Sequence, residues 1–217
     1  MPRADEPTRS AADFFPATVT LRTLAEAAKG CRGCDLYRNA TQTVFGEGEP
    51  GAEIVLVGEQ PGDREDRQGR PFVGPAGRLL DESLAEAGIE RADVYLTNVV
   101  KHFKFEQRGK RRIHRKPDLH EQAACTPWLE AELAQIRPTA LVLLGATAAQ
   151  ALLGRDFRVT KNRGTWVQVP YAPLVTATVH PSSILRAPDD ARDAERALFV
   201  RDLSKVSAEL ERLRSSA

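Results

Sequence analysis

The chain has 217 residues, a hydrophobic content of 41%, and 31 lysines and arginines against 30 acidic residues, which gives a formal net charge of +1. This length suits one α/β domain with a sizeable core, and the near-zero charge gives no overall argument for nucleic-acid binding. No stretch reaches the roughly 18 apolar residues that a membrane-spanning helix needs, and residues 1–17 lack the apolar core of a signal peptide. We therefore expect a cytoplasmic protein without membrane association, with a loose tail over residues 1–17 and a single domain over residues 18–217.

Helical patterns and short apolar runs alternate along the chain. The predicted helices, in chain order, cover residues 21–28, 75–87, 117–135, 146–153 and 195–213. The predicted strands cover residues 53–57, 93–99, 140–144, 165–169 and 174–179. Continuous apolar runs of this length are typical of strands that are covered on both faces. The alternation therefore predicts a three-layer α/β/α sandwich with a mostly parallel central sheet.

The carboxyl ends of the predicted strands are the expected place for function. In open parallel sheets, ligands bind in the crevice outside these ends. Gly58, Asn98, Gly145 and His180 all lie at the carboxyl ends of predicted strands. We expect them to meet at one edge of the sheet.

A basic tract separates the second strand from the long helix. Residues 101–116 contain eight lysines and arginines and one acid, Glu106. Clustering of this kind is the electrostatic footprint of polyanion binding. The tract predicts a solvated loop that holds phosphates, and His114 lies within it, either as a bystander or as an imidazole that acts on the nucleotide. The expected phosphate-binding side chains are Lys110, Arg111, Arg112 and Arg115.

Three cysteines indicate a metal site. Cys31 and Cys34 are separated by two residues, and Cys125 lies in the predicted long helix. In a reducing compartment such cysteines favour a metal over disulfides. His102 is the first candidate for a fourth ligand, with His120 in reserve, and a Cys3His zinc site is the commoner chemistry. Three unrelated buried cysteines are the alternative.

Five motifs in a fixed order carry a family resemblance. They are Gly-Glu-Gln-Pro-Gly at 58–62, Gly-Arg-Pro-Phe-Val-Gly-Pro-Ala-Gly at 69–77, Thr-Asn-Val-Val-Lys at 97–101, Leu-Leu-Gly-Ala-Thr-Ala at 143–148 and Val-His-Pro-Ser-Ser at 179–183. Over about residues 22–205 the chain resembles the uracil-DNA glycosylase superfamily, in particular its family 4 branch, which carries an iron–sulfur cluster. The resemblance implies a base excision DNA repair enzyme. It also favours a [4Fe–4S] cluster over zinc, with His102 at the position of a family 4 cysteine.

Gln60 and the inserted segment 110–114 resemble the UdgX-type subgroup. In that subgroup the inserted histidine, here His114, is implied to capture the deoxyribose after uracil leaves, which joins enzyme and DNA covalently. The attack requires a neutral imidazole, and we expect the eight neighbouring cations to disfavour its protonation. The alternatives are a conventional family 4 glycosylase that turns over, and a metal-stabilised nucleic-acid-binding module without catalysis.

The remaining motif residues form the expected base pocket. Phe72 suits stacking on uracil, and Asn98 matches the O4 and N3–H edge of uracil but not cytosine. His180 would donate to O2 and stabilise the departing anion. Glu59 would activate a water or orient His114.

The expected partner is uracil-containing DNA, especially single-stranded DNA, because a base leaves the stack there at the lowest cost. Gln60 is expected in the substrate pocket, and Ser182, Ser183 and Arg186 are expected to hold phosphates. We expect a monomer. The roles of Asp63 and Asp66 are open, because each could act in the pocket or solvate its loop.

Overall fold

A computed structural model, which describes residues 9–216, contains two β-sheets. The strands, in chain order, are β1 (Ile54–Gly58), β2 (Val94–Asn98), β3 (Phe105–Arg108), β4 (Arg111–His114), β5 (Ala140–Leu144), β6 (Trp166–Val167) and β7 (Leu174–Thr178). The central sheet has the order β2-β1-β5-β7-β6, and β3 pairs with β4 in a separate hairpin. Neighbouring strands of the central sheet are parallel, except that β6 is antiparallel to β7.

Helices cover both faces of the central sheet. They are α1 (Leu21–Ala28), α2 (Asp63–Gln68), α3 (Pro75–Glu86), α4 (Leu119–Ile136), α5 (Ala146–Leu153), α6 (Val159–Asn162), α7 (Pro181–Leu185) and α8 (Asp189–Arg214). The five predicted helices are present. The ends of α1 and α5 are those predicted, and the ends of α3, α4 and α8 are shifted. Helices α2, α6 and α7 were not predicted. Within the described residues, no helix is both long and apolar enough to cross a bilayer.

Alternation along the buried strands explains the three layers. Val55 and Val57 of β1 pack with Leu24 of α1 and Trp128 of α4 in one core cluster. Leu56 packs on the opposite face, in a second cluster that includes residues of α3 and α8. Successive side chains of a strand point to opposite faces, so β1, β2 and β5 contribute to both cores. The predicted α/β/α sandwich is confirmed.

The ordered domain begins earlier than the sequence predicts. Residues Ala11–Phe14 form a 3-10 helix capped by Ser10, and Ala11 is fully buried. The Phe15 ring lies 4.8 Å from that of Trp128. Within the expected tail of residues 1–17, the part around residues 10–15 therefore belongs to the fold, because its apolar side chains cover α4. Residues 1–8 lie outside the described residues.

The basic tract forms a hairpin and not the expected loop. Phe105 pairs with His114 and Arg108 with Arg111 in an antiparallel ladder. Gly109 lies at the turn with φ of 58°, a backbone conformation that glycine adopts without strain. The hairpin places His114 at the end of β4, next to the carboxyl edge of the central sheet.

Candidate active site

A cavity of about 1060 Å³ lies at the carboxyl ends of the central strands. Asn98, Gly145 and His180 line it, as expected from their positions at the ends of β2, β5 and β7. Further lining residues come from the segment after β1, from α2 and from the hairpin. Nine of the site residues predicted from the sequence line this cavity: Glu59, Gln60, Phe72, Asn98, His114, His180, Ser182, Ser183 and Arg186.

Asn98 is the last residue of β2 and is only 3% exposed. A Cβ atom at Gly58 would lie 2.3 Å from Asn98 Oδ1, so any side chain there would have to displace the Asn98 amide. The side-chain amide of Asn98 makes no hydrogen bond within residues 9–216, which leaves its donor and its acceptor available in the cavity. A buried amide of this kind gains most when a ligand satisfies both groups.

Phe72 lies in the cavity wall with an unusual backbone. Its φ is 54°, and the residue is buried, with only 9% exposed. A Cβ atom at Gly77 would lie 1.6 Å from the Phe72 carbonyl oxygen, which only glycine avoids. The Phe72 ring stacks on the His180 ring, with centroids 6.0 Å apart and planes at 23°.

The hydrogen bonds of His180 determine its tautomer. The backbone N–H of Ser182 donates to His180 Nδ1 at 3.1 Å, so Nδ1 is the unprotonated nitrogen and Nε2 carries the proton. The Ser182 hydroxyl also lies 2.9 Å from Nδ1, and the Ser183 hydroxyl donates to the His180 carbonyl at 2.7 Å. Burial, and then the charges of Arg186 and His114, lower the pKa of His180 to about 4. His180 is therefore a neutral donor, and both serines, expected on phosphates, support it.

Glu59 lies between α5 and the hairpin. Its Oε2 accepts a hydrogen bond from the Thr147 hydroxyl. Its Oε1 lies 3.4 Å from His114 Nε2, too far for a good hydrogen bond. The carboxylate thus faces the imidazole and is held by Thr147, a residue that the sequence reasoning did not select.

Gln60 fastens the hairpin to the end of β1. Its Oε1 accepts from the backbone N–H of Lys104 at 2.9 Å, which identifies the amide nitrogen on the other side. That nitrogen lies 2.8 Å from His114 Nε2, 2.9 Å from the Arg115 carbonyl and 3.2 Å from the Lys104 carbonyl. Because an amide nitrogen only donates, His114 Nε2 accepts here and is unprotonated. Gln60, expected to bind substrate, therefore also holds the hairpin in place.

His114 lies at the cavity mouth with its side chain 52% exposed. Burial lowers the pKa of His114 below its ordinary value of 6.5, the Glu59 charge opposes this effect, and Arg186 adds to it. The expectation that the eight cations of the tract keep the ring neutral is thus wrong in its cause. Desolvation acts first, and the contributing cation, Arg186, lies outside the tract.

Arg112 holds the hairpin against α2 and does not face solvent. Its guanidinium pairs with Asp63, and with Asp66 at 2.6 Å, and only 10% of its side chain is exposed. It also lies over the rings of Phe103 and Phe105. This corrects the expectation that Arg112 binds phosphate, and it gives Asp63 and Asp66 a structural role in the hairpin's attachment.

The other basic residues of the hairpin differ in their surroundings. Arg115 pairs with Glu106. Lys110 and Arg111 are exposed near the turn, outside the cavity lining. The sequence had also placed both of these side chains on phosphates, and they are accessible for that purpose.

Three exposed cations surround the cavity mouth. Arg64 of α2, Lys116 after β4 and Arg186 after α7 line the cavity, and none has a carboxylate partner among the described residues. The carboxylate of Glu65, in contrast, accepts from the backbone N–H groups of Gly62 and Gly74. The rim therefore offers free positive charge. Arg64 was not predicted, since α2 itself was not.

Two cysteines of the segment after α1, Cys31 and Cys34, lie close enough to Cys125 of α4 to affect its pKa. Burial raises the pKa of Cys34 to about 11, and the neighbouring Cys31 adds to this rise. Burial likewise raises the pKa of Cys125 to about 12, with smaller contributions from Cys34 and Cys31. The Trp128 indole donates to Cys31 Sγ at 3.3 Å, and the Lys101 backbone N–H donates to Cys125 Sγ at 3.2 Å. Donors of this kind stabilise thiolates.

His102 is buried beside Thr43, whose hydroxyl lies 2.9 Å from His102 Nε2. Burial lowers the pKa of His102 to about 4, which leaves the imidazole neutral. His120 is exposed on α4. Across residues 9–216, no group of three or more His, Cys, Asp and Glu side chains is arranged closely enough to hold a single metal ion.

Comparison with known proteins identifies the family. The sequence profile of the Uracil DNA glycosylase superfamily matches residues 45–204. The type-4 uracil-DNA glycosylase of Thermotoga maritima is 40% identical over 186 residues, which cover 85% of this chain and 92% of that protein. The type-4 uracil-DNA glycosylase of Archaeoglobus fulgidus is 40% identical over 165 residues, which cover 73% of this chain and 79% of that protein. The protein belongs to the uracil-DNA glycosylase superfamily.

Proposed function

We propose that this protein is a uracil-DNA glycosylase that cleaves the bond between uracil and deoxyribose in base excision DNA repair. The observation that carries this proposal is the meeting of Phe72, Asn98 and His180 in one cavity. An aromatic ring, a free amide and a neutral N–H donor are the groups that a flipped uracil requires. The type-4 relatives bear the same activity in their names.

Uracil departure needs stabilisation of negative charge on the base. The bond from the anomeric carbon C1′ to N1 breaks, and its electron pair leaves with the ring. His180 Nε2–H would donate to O2 of the departing anion, while Asn98 pairs with O4 and N3–H. The sugar is left electron-poor at C1′, where the Glu59 carboxylate stabilises the positive charge. Single-stranded DNA is the preferred substrate in this proposal, because unstacking costs least there.

We further propose that His114 captures the sugar. The lone pair of the unprotonated Nε2 attacks C1′, a nitrogen–carbon bond forms, and Nδ1 then releases its proton to water. Three features support this step: the position of His114 at the cavity mouth, its lowered pKa, and the distance of 3.4 Å between its Nε2 and Glu59. A neutral imidazole is the form able to attack.

Gln60 supports the same step by holding Nε2 without a proton. The Gln60 amide has two hydrogens but three acceptors within reach, namely His114 and the carbonyls of Lys104 and Arg115. The hydrogen bond to His114 can therefore be exchanged for the one to Lys104. Nε2 becomes free without leaving Gln60 unpaired.

Hydrolysis with turnover is the second candidate function. The match to type-4 uracil-DNA glycosylases favours it, since those names state a glycosylase activity and do not mention capture. In that case Glu59 activates a water, the water supplies the new bond to C1′, and His114 only positions the hairpin. A nucleic-acid-binding module without catalysis is the third, and it predicts no base release.

A denaturing gel with uracil-containing single-stranded DNA separates these candidates. Capture predicts a protein–DNA adduct that survives heat and detergent. His114→Ser and His114→Gly should abolish the adduct and release abasic DNA in repeated turnovers, and His114→Ala should retain part of the activity. Ile113→Ser changes the preceding residue of the same strand and should leave the adduct intact. Repeated turnover by the unaltered protein, without adduct, would refute capture.

The cysteines are proposed to hold a [4Fe–4S] cluster with a structural role. Two observations support such a group: Cys31 and Cys34 are close enough to Cys125 to affect its pKa, and the sulfurs of Cys31 and Cys125 accept N–H donors. The described side chains are not gathered tightly enough for a single metal ion, so the proposal is a cluster and not a mononuclear site. His102 is the proposed fourth ligand, and it would have to give up its hydrogen bond to Thr43. The cluster would tie the segment after α1 to α4. Visible absorbance and iron content test this, and both should be lost in Cys125→Ser, whereas zinc in place of iron would contradict it.

A further inference from the structure

A buried ion pair lies behind the wall of the cavity. Lys101 and Glu132 are both fully buried, and Lys101 Nζ lies 2.5 Å from Glu132 Oε2. None of the chemical steps above uses either charge. A buried pair of this kind is often no more stabilising than apolar side chains of the same volume, so stability alone does not explain it.

Every proton of the Lys101 ammonium has an acceptor. Besides Glu132, Nζ donates to the Thr97 hydroxyl at 2.6 Å and to the Asn98 main-chain carbonyl at 2.8 Å. The Glu132 carboxylate also accepts from Thr97, from the Tyr95 hydroxyl at 2.9 Å and from the Gly46 N–H at 3.0 Å. A network in which each member is satisfied has a single arrangement.

This network holds the backbone of Asn98 from behind. The Asn98 side chain has no hydrogen-bond partner in residues 9–216, and it packs against the strand end at Gly58. The direction of its amide therefore depends on the orientation of its own backbone, which the Lys101 ammonium holds through the carbonyl. A polar contact discriminates between bases only while both of its hydrogen bonds are aligned.

We propose that Lys101, held in turn by Glu132, is a positioning residue that directs the Asn98 amide into the cavity and thereby determines the preference for uracil over cytosine. The inference rests on the proposed function, because it assumes that Asn98 pairs with the base. Lys101 never touches the substrate. It acts through Asn98 alone.

The test removes both charges together, since removing one would leave the other buried and unpaired. Lys101→Met combined with Glu132→Gln deletes the ammonium and keeps an oxygen acceptor for Tyr95 and Gly46. Single-turnover uracil release should fall about tenfold or more. Free uracil should also lose its advantage over free cytosine as an inhibitor. Lys205→Met is the matched control, because Lys205 also donates to a main-chain carbonyl, that of Gly164. This substitution should change neither the rate of uracil release nor the inhibitor preference.

A double-mutant cycle with Asn98→Ala distinguishes positioning from a general structural role. If Lys101 acts through Asn98, the charge-removing pair should cause no further loss of rate in the Asn98→Ala background. Multiplicative losses would overturn the inference. If the protein with both substitutions does not fold, Thr97→Val takes the place of the pair in the same cycle. It removes the hydroxyl that bonds to both charged groups, and the same two outcomes apply. A wild-type protein that releases no uracil would instead refute the proposed function.

Discussion

The amide nitrogen of Gln60 lies 2.8 Å from Nε2 of His114, which connects the end of β1 to the hairpin that carries the imidazole. The same side chain accepts from Lys104 and donates toward Arg115, so it holds the ends of both hairpin strands. Gln60 thus controls where His114 lies and which of its nitrogens carries a proton.

Gln60→Ala should therefore reduce capture more than excision. Loss of the amide leaves the Lys104 N–H and the Arg115 carbonyl without this partner, and the imidazole loses its fixed position. We expect the adduct to form at least about tenfold more slowly, because misplacement of a reacting group is costly. Uracil release should persist by hydrolysis. The measurement is the ratio of adduct to free abasic DNA over time, and an unchanged ratio would show that Gln60 does not position His114.

The rate of capture should depend on pH through His114. Burial lowers the pKa of His114 below 6.5, so the attacking neutral form is fully present above that pH and is lost on protonation at lower pH. Single-turnover capture should be constant at neutral pH and decline in acid, with an apparent pKa below 6.5. Since His180 has a pKa of about 4, uracil release by His114→Ser should lack this decline. An apparent pKa above the ordinary histidine value would contradict the desolvated site.

The cationic rim should give DNA binding its salt dependence. Arg64 and Lys116 lie at the cavity mouth without carboxylate partners in the described part of the chain. Replacing either by alanine should lower the slope of log affinity against log salt by about 1, because each phosphate contact releases about one counterion. Arg22 is exposed on α1 outside the cavity lining, and Arg22→Ala is the control that should leave the slope unchanged. Equal slopes for all three variants would exclude a phosphate-binding rim.

Gly77→Ala should destabilise the protein and displace Phe72. The added methyl group would lie 1.6 Å from the Phe72 carbonyl oxygen, so the backbone has to move. Overpacking of this kind costs about 1–3 kcal/mol of unfolding free energy, which a urea titration measures. Gly51→Ala is the control, because a Cβ there meets nothing within 4 Å. Equal stability of the two variants would show that the loop at Phe72 adapts freely.

The sheet was predictable because its strands are continuous apolar runs. One buried cluster contains Val55, Val57, Leu141 and Leu143. The residues that lie between them within β1 and β5 belong to the cluster on the opposite face of the sheet. The location of the residues at the carboxyl ends of the strands follows from the same pattern, because parallel strands end at the same edge of the sheet. Asn98 and His180 could therefore be placed in one site from sequence.

The hairpin and α2 were not predictable in the same way. Residues 105–114 are mostly polar and have no apolar face, so no period indicates strands, and Gly109 was the sole turn signal. In the sequence alone, Arg112, Asp63 and Asp66 look like charged residues of a solvated surface. Only the fold shows that they pair with one another. Gln60 likewise acts through contacts 44 and 55 residues away along the chain, which no local pattern encodes.

In the proposed capture step, the imidazole of His114 reaches the sugar before water does. Intact-mass measurement after incubation with a uracil-containing oligonucleotide tests it most directly. Capture by His114 should give a protein that has gained the mass of the oligonucleotide less uracil, and peptide mapping should locate the modification on His114. Unmodified protein together with free uracil in excess of the enzyme would contradict it.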